Sequence, residues 1–576
     1  MGRNVTFDDA ELKKLNGIYY ADSYGSDAAA IQSAIDDIAA AGGGLVWAGR
    51  ESGPWPLDST VLNIKDNVHL RSDGAELTAG TKDVAGGDTL AIQNDDQTNG
   101  NDDWSIEGFE ITGKISTSAD TGNYSSNVSI SDVSCVGVPD FAFDLDNVNR
   151  ALVADCYASN QNVGTDNNGN DGVHVTDSKD TRIENFQGDT GDDIVAIEAE
   201  SQACTEITVV NPSGSSTVGD LVKGYTNPNT TAGDDIHSCR IEGGWTDGTV
   251  NSPVEFENDG SGEIYDWGIT GLRVTNAQRA ILTNDYTNTH DITLVDNVIR
   301  SAQRSILDLG KNWESYGGRY IDGGNDGANY QAVTLVGDGA KVIGGVVGPT
   351  TNHAIFISAN NCTVRDVYID ATDGTAQGVR VNGTDNYVGG NVIDAVNDWA
   401  IGSTGTDAGT RVENNTLLSN GIGHGQFSSD ALIGPGMIGN VGYKPGDYVP
   451  LTYGSGSNTS DNETSSSTYS TAENAADGII SWDLIEPSNG DAYCWFYGRV
   501  DLLNGSTMDV RIRNVTDGET MCERTGISST GPFSISPTAY TPTTTGPIHY
   551  QAEIASTDNT NTVRLDDGAA VFGVQL

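Results

Sequence analysis

The sequence predicts an all-β chain: a stacked parallel β-solenoid, opened by a short helix and closed by an antiparallel β-sandwich. Two observations predict the solenoid. Short apolar runs bounded by Gly, Asn, Asp and Ser recur through most of the 576 residues, too short for core helices. The clearest of them repeat: Ala354-Ile355-Phe356-Ile357, Gly378-Val379-Arg380-Val381 and Ala400-Ile401-Gly402-Ser403 follow at spacings of 24 and 22 residues. Each is trailed by a second strand, at 363–369, 387–393 and 411–417. A strand-and-turn repeat in the twenties reads as a β-solenoid. One coil cannot bury its own apolar face, so the coils must stack.

The remaining elements follow in chain order. Asp27 is a good N-cap for a helix whose Ile31, Ala34, Ile35 and Ile38 share one face, and Gly42-Gly43-Gly44 ends it. Such a helix would cover the open end of the solenoid and shield its first strand edges. The expected division is 1–44 for this segment, 45–420 for the solenoid, 421–468 for a glycine-rich loop and polar linker, and 469–576 for the sandwich. The sandwich rests on strands such as Ile479–Trp482, Ala492–Tyr497, Met508–Ile512 and His549–Ile554. Trp495, Phe496 and Tyr497 can stack on sugars or fill a core or subunit interface.

The helix, the glycine run, Leu45-Val46-Trp47 and the strands around Leu62-Asn63-Ile64 and Val68-His69-Leu70 resemble the opening of pectate-lyase-like right-handed β-helix proteins, viral tailspikes among them. The resemblance implies a right-handed coil and, for the tailspike type, a homotrimer.

Acidic residues number 81 against 29 basic ones, a net charge of -52 spread along the whole chain. Diffuse negative charge excludes nucleic acid or anionic membrane as an electrostatic partner. It resembles the proteins of extreme halophiles, in which salt screens self-repulsion. No run of about twenty apolar residues offers a membrane span. The first residues lack an apolar signal core, so export by the general secretory route is not expected, whereas release by lysis is compatible. The seven cysteines show no metal-ligand spacing and are expected to be small core residues, with a pairing of Cys494 and Cys522 left open. No cofactor or metal is expected.

Asn170-Asp171-Gly172 and Gly191-Asp192-Asp193 stand about one coil apart, which puts Asp171 near Asp192 on the neighbouring turn. These motifs resemble those of polygalacturonase-like glycoside hydrolases. The resemblance implies that Asp192 is a general acid and that Asp171 and Asp193 activate water, with inversion at the anomeric carbon. Repulsion between close carboxylates would raise the acid's pKa. The family's Gly-His-Gly is missing one coil later, where Ser213-Gly214-Ser215 stands, and Gly423-His424-Gly425 comes far too late. Its basic Arg-Ile-Lys strand is replaced by Glu255-Phe256-Glu257. A neutral or amino sugar is therefore expected rather than a uronate. His174, Glu198, Glu255 and Glu257 are the candidate substrate-binding residues, with Glu200 beside them. The competing explanation is that Asp and Asn only serve solenoid turns, as Asp102-Asp103 and Asp234-Asp235 illustrate.

The expected function is a receptor-binding tailspike of a virus of a halophilic archaeon, in the virion tail, with a host cell-surface glycan or glycoprotein that it either only binds or also hydrolyses. Other tail proteins would be its neighbours. The alternatives are an extracellular haloarchaeal polysaccharide-degrading enzyme and a non-catalytic structural virion protein.

Overall fold

The computed structural model describes residues 14–574 except for several stretches, the longest being 79–89, 161–168, 322–330, 434–447 and 453–462. The chain is an all-β right-handed parallel solenoid of about 13 turns with few helices. Two compact units divide it, 1–337 and 338–576.

In the first unit the predicted helix spans Ala28–Ala40, and the Asp27 carboxylate accepts the Ala30 N–H at 3.0 Å. Its buried Ile31, Ala34, Ile35 and Ile38 pack toward strands Gly44–Ala48, Leu62–Ile64 and Val68–Thr78. The glycine run does more than stop the helix. Gly43 sits at φ 96, and a Cβ there would meet the Asn67 carbonyl oxygen at 2.4 Å, so the chain can turn back only with glycine in place.

Each coil lays down three parallel strands. One face carries Ser125–Ser131, Val148–Ala154, Lys179–Glu184 and Thr208–Val210; the next carries Ser134–Val136, Tyr157–Ser159, Gln187–Thr190 and Ser213–Ser216. The third is a sheet of nine strands, running from Leu62–Ile64 through Phe143–Asp146, Val173–Thr176, Val195–Ala199, Val222–Thr226 and Val254–Asn258 to Leu282–Thr283. The corner between the first two faces is left-handed in coil after coil, at Asp132, Asp155, Asn185, Asn211, Gly243, Gly271 and Asp296. Asn, Asp and Gly tolerate that conformation best, which explains much of their abundance. Turn duty is therefore the right account of many acidic residues.

Inward positions form columns. Val173, Val195, Val222 and Val254 lie in register and are fully buried. Phe256 packs edge-on against Trp267 and Trp313, with centroids at 4.9 and 5.5 Å. Each such side chain contributes about 1.5–3 kcal/mol by burial, repeated along the column.

In the second unit the predicted repeat is observed: Ile355, Val379 and Ile401 are successive partners in parallel strands, 24 and 22 residues apart. The second strand of each unit, expected as one piece, is two. Thr363–Arg365 and Tyr368–Ala371 are split by a corner at Asp366, and the corners at Gly390 and Asn414 repeat it. Val364 and Val367 both point inward although they stand an odd number of positions apart, because the chain bends between them at Asp366. Buried Asn391 and Asn415 form a ladder beside this corner, each amide donating to a carbonyl of an earlier strand at 3.0 Å.

Toward the C-terminus the strands become antiparallel and form two five-stranded sheets. One contains Tyr448–Thr452, Val563–Val574, Ala492–Asp501 and Gly531–Tyr540; the other contains Pro547–Ser556, Met508–Asn514 and Glu519–Ile527. Met508, Val510, Ile512 and Ile554 of the second sheet and Phe533 and Ile535 of the first are buried. The polar linker expected at 421–468 falls mostly outside the described residues, as do the side chains of Trp495, Phe496 and Tyr497. Cys135, Cys156, Cys204, Cys239, Cys362 and Cys522 are buried thiols outside any disulfide, so Cys522 does not pair with Cys494. Among the described residues no helix is long and apolar enough to cross a membrane.

Candidate functional site

The site sits where the chain turns into the nine-stranded sheet. Val173 pairs with Val195, so the local rung is 22 residues and Asp193, rather than Asp192, stands opposite Asp171. The two belong to a column. Asp171 Oδ1 accepts the Asp193 N–H at 2.9 Å, Asp193 Oδ1 accepts the Asp220 N–H at 2.7 Å, and Asp220 Oδ1 accepts the Ser252 N–H at 2.7 Å. Each carboxyl satisfies a backbone donor of the next coil that burial would otherwise leave unpaired. Gly172 is required beside it, because a Cβ would meet the Ile194 carbonyl oxygen at 2.5 Å and the Phe186 ring at 2.6 Å.

Asp192 differs from its neighbours. It is half-buried, whereas Asp171 and Asp193 are 3% and 4% exposed. Its Oδ2 accepts the Gly169 N–H at 2.7 Å. One oxygen from each of the three acids lies within 4.8 Å of the others. Burial, and next the Asp171 charge, push the Asp192 carboxyl above its usual range, partly offset by the Gly169 N–H, Lys223 and His174. Asp193 is pushed well above it by burial and by Asp171, and Asp220 by burial, Asp193 and Glu255. Both Asp171 oxygens carry a hydrogen bond, Oδ2 facing His174 Nδ1 at 2.7 Å.

His174 points outward, as alternation from the buried Val173 and Val175 requires, yet it is only 8% exposed. Phe141 stacks on it at 3.9 Å, and its Nε2 faces Glu198 Oε2 at 2.9 Å. Burial opposes its charge, but the bonds to Asp171 and Glu198 outweigh that and lift the imidazole to about 10. Burial pushes Glu198 up, but the bond and charge of His174, the Asn227 amide and Lys223 together outweigh it and hold the carboxyl below its usual range. Glu255 and Glu257 also point outward, opposite Lys223 and Tyr225. Lys223 Nζ bonds Glu257 at 2.7 Å, and its burial is outweighed by Asp193, Glu257 and Asp220, which hold the ammonium above its usual range. Glu200 is exposed at the far end of the strand.

The structure thus brings Asp171, Asp192, Asp193, His174 and Glu198 together, with Glu255 and Glu257 further along the same face. Sequence reasoning missed Asp220, Lys223, Phe141 and Lys114, whose Nζ bonds Asp140 at 2.8 Å and Asp144 at 2.9 Å. Lys223 follows Val222 as His174 follows Val173, but that coil is 27 residues long and the next 32, so a constant repeat does not find it.

No known family profile and no curated protein matches this chain by sequence. Similar solved structures exist. A mutant tailspike protein of E. coli bacteriophage HK620 in complex with a pentasaccharide is 12% identical over all of this chain and 96% of that one, with a TM-score of 0.45. The A-module of the Azotobacter vinelandii mannuronan C-5 epimerase AlgE6 is 17% identical over 68% of this chain and 98% of that one, with a TM-score of 0.39.

Proposed function

We propose that this protein is the receptor-binding tailspike of a virus infecting a halophilic archaeon, and that it binds a host-surface glycan on the outward face of the nine-stranded sheet and hydrolyses it at Asp192. One observation carries the proposal: a half-exposed carboxyl held above its usual range, beside the buried Asp193 and a fully hydrogen-bonded Asp171. A carboxyl raised above its usual range while reaching solvent is shifted in the direction that protonation of a glycosidic oxygen needs. In this reading Asp192 is the acid, the buried Asp193 beside it is the base, and Asp171 holds the corner together. The oxygens converge within 4.8 Å, closer than the ~6.5–9.5 Å that admits a water between acid and base in inverting enzymes. An inverting water must therefore approach beside the cluster.

The substrate class follows from charge. Lys114 and Lys223 are tied to carboxylates, and Glu198, Glu255 and Glu257 share the face, which favours a neutral or amino sugar over a uronate. The domain division 45–420, 421–468 and 469–576, the face-to-face packing of the two antiparallel sheets as a sandwich, the homotrimer, the contact with other tail proteins and the place in the virion tail all belong to the proposal.

The test is incubation with isolated host-envelope glycans in molar salt, following released reducing ends and bound glycan for the native protein and Asp192→Asn. Release that the substitution abolishes supports the depolymerase. Binding without release by either form makes the protein an adhesin, and absence of binding by both removes the glycan reading in favour of a structural virion role.

A further inference from the structure

We infer that His174 is a positioning residue: a fixed imidazolium that commits Asp171 and Glu198 to their carboxylate forms and so confines the exchangeable protons of the corner to Asp192 and Asp193. The inference stands on a count of donors and acceptors. Asp171 Oδ1 accepts from the Asp193 backbone N–H at 2.9 Å, a donor that cannot reverse, and its Oδ2 lies 2.7 Å from His174 Nδ1. Glu198 Oε1 accepts from the Asn227 amide at 2.9 Å, and its Oε2 lies 2.9 Å from His174 Nε2. A neutral imidazole would have to turn a lone pair toward one of these carboxylates, unless that acid held the proton instead. Between a His and an Asp or Glu the ring is the stronger base by about two pKa units or more, so the proton resides on the ring. Both ring nitrogens then donate, and all four carboxylate oxygens are satisfied.

The surroundings reinforce this. On the flanking strands His174 faces Asp144 and Ala196, and Asp144 is paired with Lys114 at 2.9 Å, an ammonium it shares with Asp140. Phe141 covers the ring, with Lys114 Nζ over that aromatic at 5.3 Å from its centroid. Lys223 and the exposed Glu200 act on the same group from the strand ends, Lys223 through Glu198 and Asp192. The ring is thereby shielded from water while two carboxylates hold it from both sides. Asp192 and Asp193 keep one oxygen each outside these bonds, and those are the positions where a proton can come and go.

Its consequence for turnover rests on the proposed hydrolysis, but the ionic state of the ring does not, and the experiment separates the two. Histidine labelled with 13C and 15N, in the full chain in molar KCl, reports the ring at pH 8, with the His174 signal identified by its loss in His174→Gln. Both nitrogens are expected protonated, where an ordinary imidazole would be only about 3% protonated. A second variant leaves the ring in place: Glu198→Gln should make His174 release its proton at a pH at least one unit lower. A neutral His174 at pH 8 in the native protein, or no response to Glu198→Gln, overturns the inference. If glycan is hydrolysed, His174→Gln should also move the alkaline limb of the rate upward in pH, because loss of a nearby cation lets Asp192 keep its proton longer. A limb that stays or moves down counts against the positioning role. An imidazolium without any hydrolysis would sink the enzymatic reading and leave the charge assignment intact.

Discussion

Replacing Asp171 by Asn separates a holding role from a catalytic one, because the two carry different stability costs. The Asn oxygen can still accept the Asp193 N–H, but its NH2 then faces the protonated Nδ1 of His174, donor against donor. A charge-assisted hydrogen bond contributes about 1.5–3 kcal/mol, and breaking one side of a buried ion pair costs about 3–5 kcal/mol. Glu198 remains as a second partner for the ring, which keeps the cost near the lower end, about 3 kcal/mol. Asp192→Asn is the control. That residue is half-exposed, its amide oxygen can still accept the Gly169 N–H, and one like charge disappears from the cluster, so its effect should lie between zero and about 1 kcal/mol of stabilisation. Urea unfolding in molar KCl, followed by fluorescence of tryptophans including the buried Trp267 and Trp313, measures both. Turnover alone would not distinguish the variants, since both should lose it. A cost below about 1 kcal/mol for Asp171→Asn, or equal costs for the two, would refute the assignment of Asp171 to the scaffold of the site.

Further outcomes follow from the same geometry. Asp146 is raised to about 7, first by burial and then by Asp144 and Asp177. Its folded value exceeds its unfolded one, so its contribution declines as pH rises from about 4 through 7; Asp146→Asn should leave stability at pH 4 nearly unchanged and raise it at pH 8 by about 1–2 kcal/mol after solvent screening, read from unfolding midpoints at the two pH values. Gly219→Ala would set a Cβ 2.4 Å from the Asp192 carbonyl carbon and 2.6 Å from its Oδ1, so it should cost about 1–3 kcal/mol and lower any glycan hydrolysis; an unaltered melting point would contradict the packing. With a net charge of -52 the melting temperature should climb between 0.1 and 2 M KCl as the screening length falls from about 10 Å to below about 3 Å, and a flat profile would argue against adaptation to salt.

Much of the architecture was legible in the chain. Strand-and-turn repeats forced stacking, since one coil has no second layer to bury its apolar side, and the 24- and 22-residue spacings at Ile355, Val379 and Ile401 reappear as pairing registers. The helix with its Asp27 cap was legible because capping is local chemistry. The corner that splits each second strand was not, since Asp366 or Asn414 reads as a polar position on a strand until the backbone reveals its left-handed turn.

At the site, residue type and approximate spacing determined that Asp171, Asp192 and Asp193 would come together. Tertiary structure decided their separate duties. One residue of register sets Asp193 rather than Asp192 opposite Asp171, commits the buried pair to backbone donors of the next coil, and leaves Asp192 alone in contact with solvent. The surroundings of His174 were equally beyond the sequence: Phe141, Asp171 and Glu198 reach it from three coils of unequal length, and only their folding together turns an ordinary imidazole into a fixed charge. Local pattern fixes what a residue can do, whereas a carboxyl's proton depends on charges and burial contributed by segments that are neighbours only in space.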